Sequence, residues 1–528
     1  MDDDAAARGL PAGGGYNELP YVSMPIVTAQ PAGLAAIASL HGIEPPPADR
    51  AQVLELDCAS GGHIIPLAAR FPNARFLGLD LSETHVDDAR RRIAELGLAN
   101  IEIRQGDIAT ESFAGRQFDY VICHGVFSLI SITAQNAIFR ICRETLTPDG
   151  MAAIRYNVLP GWHQRRIVRD ICLKRVGTEG PPRDRVEKAR RILEELTLNC
   201  SGSDPYGLLL RSEAERLRTV PGSYILGEFL APHNEPCYFR DFVTRARECG
   251  LDYLSECDLP SCQPETLAPR AAESIRAMAG ADPAAVQQYT DYFSGRTFRR
   301  SMLVRQQAAS GAPRTARHER LASLHMAGYF KIDGTKTQAD VAVFTDYRKR
   351  SIEVKHRAMR ETLVRLGECF PGTVPVETLL SGIPGGDGRR GVSEALFQLI
   401  ATGRATVSSL PLRVGSAGDE RPRVWPIARA EAAAGQPWVT SLGHRAVIVN
   451  KVLAFLLPHL DGSNDRRMLL THLASTLRSR QVEIPELKAG RSVRSQTRLD
   501  DLASEYLSRS LAYLAANALL ERGTALRN

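Results

Sequence analysis

Val53-Leu54-Glu55-Leu56-Asp57-Cys58-Ala59-Ser60-Gly61-Gly62-His63, with Ile64-Ile65-Pro66-Leu67 behind it, is the stretch on which the fold turns. The run up to Leu56 is apolar apart from one Glu, as in a strand buried on both faces. Gly61 and Gly62 supply a turn, and the apolar residues from Ile64 open a helix. A second strand, Arg75-Phe76-Leu77-Gly78-Leu79-Asp80, ends in an acid. That spacing opens a nucleotide-binding βαβ unit: the turn brings bare backbone to the ligand and the acid takes the ribose hydroxyls. A dinucleotide site needs G-x-G-x-x-G, because its pyrophosphate lies against backbone at a helix N-terminus. This turn does not offer that pattern.

The spacing Glu55-x-Asp57-x-Ala59-x-Gly61 instead resembles the first motif of class I S-adenosylmethionine (SAM) methyltransferases, E-x-G-x-G-x-G. Asp57 and Ala59 stand where the first two glycines would be. SAM has no phosphate, so a turn poorer in glycine is tolerable, but Asp57 adds a charge where backbone should approach the methionine portion. A third strand from Ile101 ends in Gly106-Asp107-Ile108, where these methyltransferases place the acid that faces the adenine amino group. A fourth, Phe118-Asp119-Tyr120-Val121-Ile122-Cys123, runs through His124-Gly125 into the position of the active-site loop. The competing reading is a βα unit of some other α/β domain. On the methyltransferase reading the cofactor residues are Glu55, Asp57, Cys58, Ala59, Gly61, Gly62, Asp80, Leu81, Asp107, Ile108 and His124.

The resemblance narrows when more of the chain is read. Tyr16 to Gln30, Leu54 to Gly62, His124-Gly125-Val126-Phe127-Ser128 and Tyr156-Asn157-Val158-Leu159-Pro160-Gly161-Trp162-His163 together resemble bacterial SAM-dependent methyltransferases with a methyltransferase regulatory domain. That group includes protein-lysine methyltransferases acting on outer-membrane proteins of intracellular bacteria. Tyr224 to Phe239 and Cys249 to Leu254 are similar to its regulatory segment. The likeness covers about the first three hundred residues and, more loosely, the rest. The chain departs from the family pattern at Asp57 for Gly, His63 for Asn, Phe127 for Tyr, Leu129 for Trp and Gly227 for His.

The resemblance implies an α/β fold: a class I methyltransferase Rossmann-like sheet of seven strands, with a helical insertion and C-terminal winged-helix-like domains. It also implies SAM as cofactor and a protein acceptor, with lysine preferred. The other readings are a small-molecule or peptide-tailoring methyltransferase, and a regulatory scaffold whose SAM site has degenerated. Methyl transfer is an in-line displacement that asks chiefly for alignment, and a lysine must react as the neutral amine, which a dry aromatic channel favours. Tyr21, His124, Phe127, Tyr156 and Trp162 are the residues expected to line that channel. Tyr16 and Tyr21 lie on an arm between prolines; either they anchor it, or their rings face the sulfonium cation.

A length of 528 residues exceeds one core. The expected division is a disordered tail at 1–15, a SAM-binding core at 16–165, a helical insertion of regulatory or dimerisation role at 166–237, and a regulatory segment completing the sheet at 238–308. A winged-helix-like domain follows at 309–415 and a helical domain at 416–528. Helices read from 444 to 457, 466 to 477 and 499 to 520 make up the last. A net charge of +6 is weak over this length and gives no argument for nucleic acid. Ser393 to Ile400, where a winged helix would read DNA, is nearly uncharged. The ten cysteines contain no C-x-x-C pair and no His cluster joins them, so no metal is expected and Cys58 and Cys123 read as packing. The acidic N-terminus is unlike a signal peptide and no long apolar run appears, which points to a cytoplasmic chain without membrane spans. The Arg-rich insertion is either a solvated face or the surface of a homodimer.

Overall fold

The computed structural model describes residues 18–113, 115–313, 315–337, 340–479, 481–482, 484 and 496–522. The expected tail at 1–15, and Tyr16, lie outside them. The chain divides into two compact units, one of the N-terminal stretch to Ser23 with Ile37–Ala316, the other of Met24–Ala36 with the chain from Arg317 onward.

The first unit is built on a seven-stranded sheet. Its strands are β1 (Gln52–Leu56), β2 (Arg75–Asp80), β3 (Ile101–Gln105), β4 (Phe118–Cys123), β5 (Leu146–Asn157), β6 (Leu251–Glu256) and β7 (Phe298–Arg305), in the order β3-β2-β1-β4-β5-β7-β6. The first five pair in parallel and β7 runs antiparallel between β5 and β6. This is the class I methyltransferase arrangement. After Gln52, every residue of β1 is buried, which is why the strand reads as an almost unbroken apolar run. β5 begins at Leu146, earlier than its sequence suggests: Leu146-Thr147-Pro148-Asp149-Gly150, which reads as a turn, enters the strand through a register shift against β4. Because β1 neighbours both β2 and β4, its C-terminal end is the topological switch point at which a ligand crevice opens.

Helix α1 (Pro31–Leu40) precedes β1 in the chain, α2 (Ile64–Arg70) and α3 (Glu83–Leu96) follow β1 and β2, and α4 (Ile132–Thr145) follows β4. Ser82 caps α3 by accepting from the His85 N–H, and Gly97 ends it in the left-handed conformation. The insertion comprises four helices, α5 (Gly161–Val176), α6 (Pro182–Asn199), α7 (Pro205–Thr219) and α8 (Gly222–Leu230). Its core runs from Val168, Cys172 and Leu193 through Leu210 and Leu217 to Phe229. The breaks at Gly180-Pro181 and Gly202 to Pro205 fall where turn chemistry puts them. α9 (Phe239–Glu248), α10 (Pro269–Ala279) and α11 (Pro283–Ser294) accompany the last two strands.

In the second unit, helices Arg357–Cys369, Val376–Leu380 and Gly386–Ala401 stand with a sheet in which His325–Ala327 pairs with both Val374–Pro375 and Thr406–Ser408. The C-terminal part holds helices Lys451–Leu456, Arg466–Arg478 and Gln496–Ala516. The helix expected over 444 to 457 is corrected here: Ala446–Ile448 is a strand, paired with Trp438–Thr440 as a wing, and helix begins only at Lys451. Strands of three residues are too short to display a period of two. No helix among the described residues is long and apolar enough to cross a membrane.

Candidate active site

The turn after β1 is held in an unusual backbone course. Asp57, Ala59 and Gly61 all have positive φ, at 62, 47 and 73°. These are the three glycine positions of the motif, so the backbone keeps a glycine-type path with side chains on two of them. Asp adopts this region more readily than most residues; Ala does so at a cost of about 1–2 kcal/mol. Asp80 fixes the turn. Its carboxylate accepts from the Ala59 N–H at 2.7 Å, the Ser82 N–H at 2.9 Å and His85 Nδ1 at 3.2 Å. A carboxylate has about four acceptor positions, so one remains for a ribose hydroxyl.

The N-terminal arm lies along the same crevice. The Tyr21 N–H donates to His85 Nε2 at 3.2 Å, which sets His85 as the Nδ1–H tautomer toward Asp80. The Gly62 N–H donates to Ser23 Oγ at 2.7 Å. Removing that hydroxyl in Ser23→Ala leaves Gly62 to water, and hydrogen exchange at the Gly62 amide should speed up about fivefold, the worth of one neutral hydrogen bond. The residue is 40% exposed, and the buried part of its side chain pushes the Tyr21 phenol above its ordinary pKa; Arg155 opposes this, while Glu228, Tyr224 and Asp57 add to it. At the crevice rim Leu81 and Asp107 are exposed and Ile108 is half-buried. Asp107 Oδ1 accepts from the Ala109 N–H at 2.9 Å.

His124 leaves β4 toward Gly125, whose φ of 90° turns the chain. Burial, then Arg155, Arg300 and His63, hold its pKa well below the ordinary value, so it is neutral at physiological pH. Arg155 and Arg300 are register partners on β5 and β7, and their guanidinium carbons lie 5.1 and 4.8 Å from the Phe298 ring centre.

Three expected channel residues lie elsewhere. Phe127 and Tyr156 are buried in an aromatic core with Phe139 and Phe242; Tyr156 stacks on Phe242 at 3.8 Å, and its hydroxyl pairs with Ser301 Oγ at 3.1 Å. Trp162 is buried in the insertion's core against Phe229. Their aromatic surface is worth more inside than at a rim. Cys58 and Cys123 are buried, with burial first among the causes that push both thiols up, as packing residues would be. Not singled out in the sequence is a cluster at the end of β5. Asn157 Nδ2 donates to Glu228 Oε2 at 2.8 Å and to Asn234 Oδ1 at 3.1 Å, and Arg155 Nη1 lies 3.5 Å from Glu228 Oε1. Asn157, Glu228 and Asn234 all fall in the stretches that carry the family resemblance, which is the signal that could have found them. A separate cavity lined by Gln52, Arg75, Asn100 and Gln117 lies at the opposite edge of the sheet and is not this site.

Three family descriptions match the chain: "Methyltransferase domain" over 53–150, "Predicted methyltransferase regulatory domain" over 221–305, and "PKMT, C-terminal winged helix domain" over 420–519. Protein RP028 of Rickettsia prowazekii is 30% identical over 234 residues, which is 44% of this chain and 94% of that protein. The chain belongs to the class I methyltransferases that carry a methyltransferase regulatory domain. It is a SAM-dependent methyltransferase. Protein RP789 of the same organism is 26% identical over 521 residues, 96% of this methyltransferase and 93% of RP789. The structure of PKMT2 from Rickettsia typhi in complex with AdoHcy superposes with a TM-score of 0.83 at 23% identity, covering 95% of this chain and 100% of that one, a likeness of fold. The wing at Trp438–Thr440 and Ala446–Ile448 falls within the winged-helix match.

The residues present fit SAM. The left-handed turn offers backbone, Asp80 keeps one acceptor position, and Glu55 Oε2 is a buried acceptor with no hydrogen-bond partner in the structure.

Proposed function

We propose that this methyltransferase modifies a protein acceptor and that the receiving atom is a lysine amine. The observation that carries the reading is the presence, in one chain, of the methyltransferase and regulatory domains with a winged helix of the PKMT type. PKMT2, which shares the fold over the full length, is a protein lysine methyltransferase. SAM supplies a methyl group on a sulfonium, and the chain's task is to align donor and acceptor and to keep the amine neutral. Arg155 and Arg300 support that second task. An ammonium brought to the C-terminal ends of β4 and β5, beside the start of β7, meets two guanidiniums, and like charge shifts it toward the nucleophilic free amine.

On this reading Glu55, Asp57, Cys58, Ala59, Gly61 and Gly62 hold the methionine end, Asp80 and Leu81 the ribose and adenine, and Asp107 with Ile108 the adenine edge. Tyr21 and His124 stand at the methyl end. Phe127, Tyr156 and Trp162 act behind it, as the packing that sets β5 and the loop after β4. The segment 238–308 completes the sheet of the 16–165 core, and the modules at 309–415 and 416–528 select the acceptor. The insertion at 166–237 forms a homodimer surface in the cytoplasm; Leu198, Tyr206 and Leu208, exposed at 77, 48 and 56%, support this part of the reading.

Intact-mass measurement of candidate bacterial protein acceptors after incubation with SAM is the test. Whole methyl units should appear and map to lysine. Transfer confined to small molecules overturns the protein reading.

A further inference from the structure

The last residue of β5 holds its side chain in a direction that its neighbours dictate. Arg155 and Asn157 fall on one face of the strand, opposite the face that buries Tyr156 in the aromatic core. On that face Arg155 stands close enough to act on the charge states of both His124 and Tyr21, which places it at the methyl end of the crevice. Asn157 is buried, and both of its amide hydrogens are spoken for: Nδ2 donates to Glu228 Oε2 at 2.8 Å and to Asn234 Oδ1 at 3.1 Å. Glu228 sets this direction, because a carboxylate only accepts. Asn234 turns its own Nδ2 to Glu228 as well, 2.9 Å from the backbone carbonyl oxygen and 3.2 Å from Oε2, which leaves its Oδ1 for Asn157. The Asn157 amide therefore stands one way round. Its carbonyl oxygen is turned off Glu228 and Asn234 and has no donor among the described residues. The loop that His124 opens is tied to the same residue, since the Asn157 N–H donates to Ser128 Oγ at 2.9 Å.

A neutral amine attacks only with its lone pair on the line to the methyl group, and a fixed acceptor for one of its N–H groups sets that angle. We propose that Asn157 orients the acceptor amine, its side-chain carbonyl oxygen receiving one N–H, and that Glu228 and Asn234 are positioning residues that keep the amide from turning over. The role rests on the lysine reading given above. Arg155 and Arg300 disfavour the ammonium, and an uncharged carbonyl gives the free amine a partner without drawing the ammonium back as a carboxylate would. The nitrogen lone pair forms the N–C bond as the S–C bond breaks and leaves its electron pair on sulfur; the nitrogen turns cationic and keeps both hydrogens. Its N–H then donates more strongly, so Oδ1 favours the transition state over the bound amine. The methylated ammonium leaves carrying those hydrogens. An amide turned over would set N–H against N–H and lose the effect.

A matched pair of SAM analogues tests it, each with nitrogen in place of the sulfonium, one carrying an aminoethyl arm and the other a propyl arm of the same size. The first puts an amine where the lysine nitrogen arrives; the second puts a methyl group there. Both, and S-adenosylhomocysteine, are titrated calorimetrically into the full chain and into its Asn157→Ala and Glu228→Gln variants. In Asn157→Ala the aminoethyl-to-propyl affinity ratio should fall about fivefold, the worth of one neutral hydrogen bond, with S-adenosylhomocysteine affinity held within about twofold. In Glu228→Gln the new amide donates as well as accepts, so Asn157 is released to turn over and the ratio should fall about threefold. An unchanged ratio in Asn157→Ala overturns the orienting role, and so does an equal loss of all three ligands, which would make Asn157 a packing residue. An unchanged ratio in Glu228→Gln overturns the positioning role. Each of these leaves the lysine reading to the intact-mass measurement, whereas failure of the wild type to bind S-adenosylhomocysteine at millimolar concentration overturns the SAM site and this role with it.

Discussion

Asp80→Ala should lower SAM affinity by more than about a hundredfold, which corresponds to about 3 kcal/mol. The carboxylate serves three donors at once, two of them backbone N–H groups within the turn and the α3 start. Hydrogen bonds to a charged acceptor contribute about 1.5–3 kcal/mol each, and a buried N–H left without a partner adds its desolvation cost. The loss falls on a turn already strained, because Ala59 at φ 47° donates the shortest of the three bonds. His85 loses its partner as well, and with it the tautomer that receives the Tyr21 N–H, so the arm loosens along with the turn. Asp80→Asn keeps one acceptor oxygen but no charge and should fall between wild type and Asp80→Ala. Calorimetric titration with SAM measures the effect, and the far-UV spectrum shows that the sheet is intact. Asp80→Ala binding SAM within a few-fold of wild type would remove Asp80 from the site.

The outline of this crevice is legible in the sequence because it is local. The alternation of strand, turn and helix from Val53 to Asp80, the Glu at 55 and the acid at 80 all lie within one βαβ unit, where backbone periodicity and turn chemistry decide structure. The helix breaks in the insertion are legible for the same reason. What is hidden depends on contacts far apart in the chain. Tyr156 and Arg155 are neighbours on β5, and the pleat sends them to opposite faces; the sequence does not say which face is core, and the aromatic ring looks the better channel residue. The structure buries Tyr156 against Phe242 and leaves Arg155 beside Glu228. Glu228 reaches Asn157 across 71 residues of chain, a separation that no local pattern reports. Asp57 is the converse case. Its identity reads as a disruption of the motif, and only its φ of 62° shows that the backbone keeps the glycine path with the carboxylate in place.

Arg299→Met should destabilise the first unit by about 3–5 kcal/mol, the cost of removing one partner from a buried ionic network. Arg299 is 1% exposed and uses all five of its N–H groups. Nε and Nη2 grip Asp291 at 2.8 and 2.9 Å; Nη1 donates to Glu256 at 2.7 Å and to Gln287 Oε1 at 3.2 Å; Nη2 also donates to the Gln287 carbonyl at 2.7 Å. The guanidinium lies 4.3 Å from the Phe239 ring centre. One side chain therefore ties β7 to β6, α11 and α9, and the same strand carries Arg300 and Phe298 to the crevice. Burial alone would raise Glu256; Arg299 first, then Arg296 and the hydrogen bonds from Arg299 and Ser301, hold it below the ordinary value. A depressed carboxylate contributes stability above its unfolded pKa and loses it as pH falls through the folded one. Without Arg299 burial prevails, the Glu256 pKa rises, and the variant is weakest where that carboxylate must ionise. The stability gap between wild type and Arg299→Met should therefore be widest near about pH 8 and narrow toward about pH 4.5, where carboxylates begin to protonate. Urea unfolding across that range measures it. Arg299→Lys keeps the charge but not the five-donor geometry and should recover part of the loss. A gap independent of pH would mean that Arg299 stabilises through packing on Phe239 and not through the carboxylates.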